Sequence, residues 1–226
     1  MKSVLILAAH PDDEVLGCGG TIANLADQGV QVHVAFLADG VFSRNEERNA
    51  QQAALDARRA AAGQACEVLG VTSFSFGDMP DNRIDSLALL DIVRPIEALI
   101  EKWQPDAVFS HHAGDVNIDH RRLHEAVVTA CRPQAGHPVR TLLFFEIPSS
   151  TEWQTPGSGP VFAPNWFVDI SSTLERKMAA LDAYSAEMRP WPHPRSRPGV
   201  EHLARWRGAT VGVEAAEAFV LGRQLS

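Results

Sequence analysis

Val4-Leu5-Ile6-Leu7-Ala8-Ala9-His10-Pro11-Asp12-Asp13-Glu14 is the stretch whose reading decides the fold. The apolar run from Val4 to Ala9 has the length of a buried strand, and it stops abruptly at a histidine, a proline and three acids. The polar cluster therefore belongs to a strand's carboxyl end, where open α/β sheets keep their binding sites. Asp12, Asp13 and Glu14 cannot all be buried as unpaired carboxylates, because each would cost several kcal/mol or lose its charge. A metal ion nearby is the economical answer.

Working outward, Gly17-Cys18-Gly19-Gly20 reads as a loop that lets the backbone approach a ligand or a neighbouring element, with Thr21 capping a helix that Gly29 ends. Val30 to Leu37 reads as a second strand, so a parallel crossover is expected. The glycines do not fit a dinucleotide-binding G-x-G-x-x-G, and Asp39 after the second strand does not rescue that reading. Asn45 to Leu69 reads as a helix, Val71 to Phe76 as a strand, and Leu87 to Trp103 as a helix with a kink or start near Pro95. Asp106 to Ser110 gives a fourth strand ending in His111-His112-Ala113-Gly114-Asp115-Val116-Asn117-Ile118-Asp119-His120. Asp119 can cap the helix that follows, and Arg140 to Ile147 is a further strand. Beyond lie a loop-like 148–164, a short strand over 165–170, a helix capped by Ser171, a proline-rich 189–198, a helical start at Val200 and a last helix from about Val213.

The chain has 226 residues, 45% of them hydrophobic, enough for one domain with a full core. Its formal charge of −8 argues against a sequence-independent grip on nucleic acid or an anionic membrane. Cys18, Cys66 and Cys131 are odd in number and in no C-x-x-C pair, which suits reduced thiols. Met1-Lys2-Ser3 runs straight into the first strand without the pattern of a signal peptide, and no stretch reaches ~18 apolar residues. These features predict a cytoplasmic protein with a small-molecule or sugar-containing partner, no nucleic acid and no membrane span. A homo-oligomer is compatible with them.

Catalytic zinc typically takes three protein ligands and leaves a position for water. His10 and Asp13, three residues apart across a tight turn, can converge on one ion. The third ligand must come from another strand end, where His120 leads and His111, His112 and His124 are alternatives. Asp12 is left as general base, a carboxylate beside water whose pKa a metal would lower. Each of these residues also has a purely structural reading: a histidine near a helix start can cap it, and acids after a strand favour a helix N-terminus.

Ala9-His10-Pro11-Asp12-Asp13-Glu14, followed by Gly17, Gly19-Gly20 and then Asp115-x-Asn117-x-Asp119-His120, resembles the LmbE/PIG-L family of zinc-dependent de-N-acetylases over roughly the first 145 residues. The resemblance implies that His10, Asp13 and His120 bind zinc and that Asp12 is the base. Arg58 resembles a helical family arginine that contacts substrate. Many members carry a histidine where this chain has Asn117. Asparagine can donate a hydrogen bond to an oxyanion but cannot deliver a proton, which leaves Asp12 or His193 for that task. The usual glutamate three residues after the arginine is Ala61 here.

In the C-terminal third, Trp191-Pro192-His193-Pro194-Arg195-Ser196 holds polar groups on a stiff chain, and Arg195 suits a carboxylate or phosphate. Trp153, Trp166 and Trp191 read as core residues before sugar-stacking platforms. The expectation is a Rossmann-like three-layer α/β sandwich with a mostly parallel sheet and helices on both faces. It forms one domain over 1–226, with an elaboration from about residue 148 covering the site. Family analogy implies a hydrolase that removes an N-acetyl group from an N-acetylglucosamine-type sugar, with Zn2+, Fe2+ or another divalent ion as cofactor. Arg58, Asp115, Asn117, His193 and Arg195 are the substrate-binding candidates. The rivals are a zinc-dependent hydratase of an unsaturated organic acid and a non-catalytic sugar-binding module.

Overall fold

The computed structural model describes residues 1–38 and 48–226, the side chains of 48–51 excepted. Asp39 and residues 45–47 of the expected second helix lie outside the described residues. The first strand, β1 (Ser3–Ala8), is buried along its whole length. It runs parallel to β2 (Gln31–Ala38) on one side and β4 (Ala107–His111) on the other, with Ile6 opposite both Val34 and Phe109. Next to β2 lies β3 (Ser73–Met79), and next to β4 lies β5 (Thr141–Phe145), both parallel. The strand order is β3-β2-β1-β4-β5-β7-β6. Chain direction across the sheet reverses between β1 and β4, and an open parallel sheet leaves a crevice at such a point, outside the strands' carboxyl ends.

Side-chain alternation divides the core into two layers. Val4, Ile6 and Ala8 pack with Ile22 of α1 (Asp13–Asp27), Leu69 of α2 (Arg48–Leu69), Met178 of α5 (Leu174–Asp182) and Ala204 of α6 (Arg197–Ala209). Leu5, Leu7 and Ala9 pack with Ile96 of α3 (Leu89–Trp103) and Leu123 of α4 (Ile118–Ala130). Helices thus cover both faces of a mostly parallel seven-stranded sheet, the expected three-layer arrangement. No described helix is long and apolar enough to cross a membrane.

Several local expectations give way. Gly17 to Gly20 is not a loop before a helix capped by Thr21 but the middle of α1, which kinks at Cys18 (φ −151°, ψ 24°). A Cβ on Gly17 would stand 2.5 Å from the Phe145 ring, and one on Gly20 would stand 2.7 Å from Ile170. The glycines therefore let a helix press against the sheet. The backbone groups loosened at the kink find polar side chains from the far end of the chain. Glu217 accepts from the amides of Gly20 (3.0 Å) and Thr21 (2.7 Å), and Lys177 donates to the Leu16 carbonyl (3.0 Å) while pairing with Glu217.

Glu217 lies on the second correction. The segment expected to be a last helix from Val213 is instead β7 (Ala216–Gln224), which pairs antiparallel with both β5 and β6 (Trp166–Asp169). Its alanines and glutamates favour a helix, but a vacant sheet edge outweighs that preference of a few tenths of a kcal/mol per residue. Ser171 does not cap α5, which begins later, after Thr173; its hydroxyl bonds Asp169 instead. Pro95 lies inside α3 rather than at its start. The three cysteines are free and buried. Trp153 and Trp191, expected in the core, are 51% and 59% exposed.

Candidate active site

The turn after β1 sets the site. Asp12 stands at the N-cap of α1 with φ 113°, a left-handed conformation that costs a residue with a side chain on the order of 1–3 kcal/mol. Its carbonyl accepts from Val15 (3.1 Å) and Leu16 (2.9 Å), and its amide donates to Glu14 Oε2 (3.0 Å). Tyr184 donates its hydroxyl to Glu14 Oε1 at 2.7 Å. Burial pushes the Glu14 carboxyl up to about 8, with the tyrosine hydrogen bond working against the rise. Asp13 turns back under the turn and accepts from the His10 amide at 2.9 Å.

His10, Asp13 and His120 offer ligand atoms that all lie within 4.8 Å of one another, and all three residues are buried. His120 comes from the first turn of α4, beyond β4, so adjacent strand ends supply the group. Asp13 Oδ2 is 3.4 Å from His10 Nδ1 and 3.3 Å from His120 Nε2. His120 Nε2 is buried with no hydrogen-bond partner among the described residues. Two imidazoles and a carboxylate with an unspent buried lone pair fit a divalent metal ion. The carboxylates around the group favour positive charge there. Burial opposes its charge, yet Asp13 and Asp115 raise His120 to about 9; burial likewise opposes Asp13, which His120, His111 and His10 hold well below the usual carboxylate range.

Of the alternative histidines, His111 and His112 have spent their lone pairs, and His124 stands outside the group. His111 Nε2 accepts from the Ala9 amide (2.9 Å), so its lone pair is spent, and its ring stacks on His120 at 3.9 Å. His112 Nδ1 accepts from Gly114, and His124 donates to the His111 carbonyl. A second acidic group, Asp81 and Asp119, lies within reach of His10 Nε2 at 3.2 and 3.0 Å. Asp119 also accepts from the amides of Asn82 (2.6 Å) and Ile84 (3.0 Å), so it ties the loop after β3 to the His10 ring rather than capping α4. Asn117 is that cap, its Oδ1 accepting from Asp119 N at 2.8 Å.

Above the His/Asp group opens a cleft of about 130 Å3. Asp12 lines it with Arg58, Asn117 and Arg195. Arg195 Nη1 stands 3.0 Å from Asp12 Oδ2 and its Nε bonds Ser149 at 3.1 Å, while Arg58 lies 3.7 Å from the same carboxylate. Burial raises the Asp12 pKa, and the guanidinium of Arg195 opposes the rise. The elaboration after residue 148 thus reaches the site through Ser149 and Arg195.

Two candidates lie elsewhere. Asp115 is fully buried behind the cleft, where it bonds Ser150 and Thr151 and stands 3.2 Å from His120 Nδ1. His193 is not in the lining; its Nδ1 accepts from the Arg195 amide and its ring meets Trp153 edge-on. Asp81, Asn82 and Glu187 line the cleft and were missed. Pro80-Asp81-Asn82 carried a signal, because it follows a strand in the same sheet; Glu187 carried none.

Residues 5–131 match the PIG-L family described as GlcNAc-PI de-N-acetylase. A diacetylchitobiose deacetylase from Thermococcus kodakarensis is 29% identical, the similarity covering 97% of this chain and 82% of that one. A 4-oxalmesaconate hydratase from Pseudomonas putida is 31% identical over 85% of this chain and 76% of that one. Among solved structures, an N,N'-diacetylchitobiose deacetylase from Pyrococcus horikoshii superposes with a TM-score of 0.79 at 22% identity, covering 98% of this chain and 84% of that one, which speaks to the fold alone. With the matched region spanning more than half of its length and carrying the whole His/Asp group, the chain belongs to the PIG-L (LmbE-like) family.

Proposed function

We propose that the protein is a zinc-dependent amide hydrolase that removes the acetyl group from an N-acetylglucosamine-type sugar or a related small molecule. The observation that carries this reading is the convergence of His10, Asp13 and His120 beneath the strained Asp12, at the mouth of a polar cleft. His10, Asp13 and His120 would hold the ion. Zinc, when bound, supplies Lewis-acid polarisation of the acetamido carbonyl and acidifies water.

Asp12 takes a proton from the attacking water. The new C–O bond forms, the C–N bond breaks, and acetate and an amine leave. Because Asn117 has no proton to give and His193 is outside the lining, Asp12 passes the same proton to the amine nitrogen. Burial, which raises the Asp12 pKa, suits it to hold that proton between the two steps. Arg195 keeps the carboxylate aimed at the cleft, and Arg58, Asn82 and Asn117 bind sugar hydroxyls. Asp115 orients the His120 ring, a role that replaces the expected substrate contact.

A hydratase acting on an unsaturated organic acid is the second reading, favoured by the two guanidiniums beside Asp12 and by the hydratase relative. A bare sugar-binding module is disfavoured, since binding alone needs no buried carboxylate placed as a base beside the His/Asp group. The test combines elemental analysis with turnover. Wild-type protein should carry about one zinc that His10→Ala and His120→Ala both lose, and it should release acetate from N-acetylated sugars. Asp12→Asn should keep the metal and lose activity by at least ~100-fold. Hydration of an unsaturated dicarboxylate without acetate release would promote the second reading; metal-free, inactive protein that zinc does not restore would end both.

A further inference from the structure

Asp12 occupies a contradictory position. Aspartate at an N-cap normally turns its carboxylate onto the amides of the helix's first turn. Here it makes no such bond, and its Oδ2 faces Arg195 across the cleft. The backbone bond that anchors the turn is made instead by the next acid but one. Glu14 reaches back to the Asp12 amide, as the glutamate of a capping box reaches back to the cap residue, while the reciprocal half of the box is missing. Tyr184, 2% exposed and drawn from the segment after α5, fixes the other oxygen of Glu14.

We infer that Glu14, backed by the Tyr184 hydroxyl, is a positioning residue that holds the Asp12 main chain in its left-handed turn and so keeps the Asp12 carboxylate in the cleft rather than on its own helix. This rests on the reading of Asp12 as the proton carrier. Without the Glu14 bond the Asp12 amide is a buried donor with no acceptor, the turn relaxes towards the ordinary cap conformation, and the carboxylate folds back onto the first turn of α1. Neither Glu14 nor Tyr184 lines the cleft, and the direct contact between the pair and Asp12 is the hydrogen bond to its amide.

The experiment compares Tyr184→Phe, Glu14→Gln, Glu14→Ala and Asp12→Asn by zinc content, by amide hydrogen exchange at residue 12 followed with 15N NMR, and by acetate release from N,N'-diacetylchitobiose. Tyr184→Phe removes one oxygen and leaves the ring to fill its place. It should speed exchange of the Asp12 amide and lower kcat, each by about tenfold, with KM and zinc content unchanged. Glu14→Ala should do the same by about a hundredfold, and Glu14→Gln, which keeps one acceptor oxygen, should recover part of the loss.

Wild-type exchange and kcat in Tyr184→Phe and Glu14→Gln, beside an inactive Asp12→Asn, would overturn the inference and leave the role of Asp12 standing. A fully active Asp12→Asn would overturn that role itself. Zinc content falling in step with kcat would also overturn the inference, because it would mark the pair as ordinary support for the fold. Should the sugar not be turned over, the exchange measurement decides, and an unchanged rate at residue 12 counts against the proposal.

Discussion

The first turn of helix α1 and its middle contrast sharply. Its first turn, Asp13-Glu14 with Asp12 before it, takes its polar groups from one short stretch of sequence, with Tyr184 as a distant brace, and it sends Asp12 and Asp13 to the cleft. Its middle, at Cys18, owes its shape to residues about 160 to 200 positions away, Lys177 and Glu217, which take up the carbonyl and amides that the kink loosens. The first turn carries chemistry and the middle carries placement. A helix can present reactive groups accurately only if its body is clamped, and here the clamp is a buried ion pair supplied by the C-terminal third.

Three substitutions break or sharpen that contrast. Lys177→Met leaves Glu217 a buried carboxylate with two amide donors but no cation, and urea unfolding should show a loss of about 3–5 kcal/mol, the largest of the three. Adding Glu217→Gln should restore part of it; full stability in the single variant would show that the kink needs no clamp. Gly20→Ala drives a Cβ to 2.7 Å from the Ile170 side chain and should cost about 1–3 kcal/mol, read from the same unfolding curves. A neutral result would mean that α1 can back away from the sheet. Asn117→Ala removes the side-chain cap of α4 and should cost about 1 kcal/mol, with zinc still bound because the Asp115 carboxylate stands 3.2 Å from His120 Nδ1 whether or not the cap is made. Zinc loss in that variant would place the cap, rather than Asp115, in charge of the ligand.

Much of the site was legible because its residues follow strands. Val4 to Ala9 announces a buried strand, and the polar residues after it must then stand at a strand's carboxyl end; the same logic located His120 beyond β4. Asp115 was legible as a member of the cluster but not as a residue behind it, since nothing local reveals that Ser150 and Thr151 take up its oxygens. Asp81 and Asn82 follow a strand as well, and the rule that found His120 applies to them. Glu187 and Tyr184 were beyond that rule, because they reach the site from the helical layer rather than from a strand end. The chain from Val213 failed for a different reason. Its alanines and glutamates express a helical preference, and the residues of β5 and β6 that override it by pairing lie 47 to 83 positions earlier.

The sequence by itself determined the class of fold and the strand end where His10, Asp12 and Asp13 stand, with His120 as the leading candidate beside them, because hydrophobic runs and short motifs act over a few residues. Only the tertiary structure decided that α1 runs through its glycines with a kink, that the chain ends in a strand, that Arg195 pairs with Asp12 and that Glu14 and Tyr184 stand behind it. Each of those depends on which distant surfaces meet, and close packing and hydrogen-bond satisfaction are settled by all the neighbours at once.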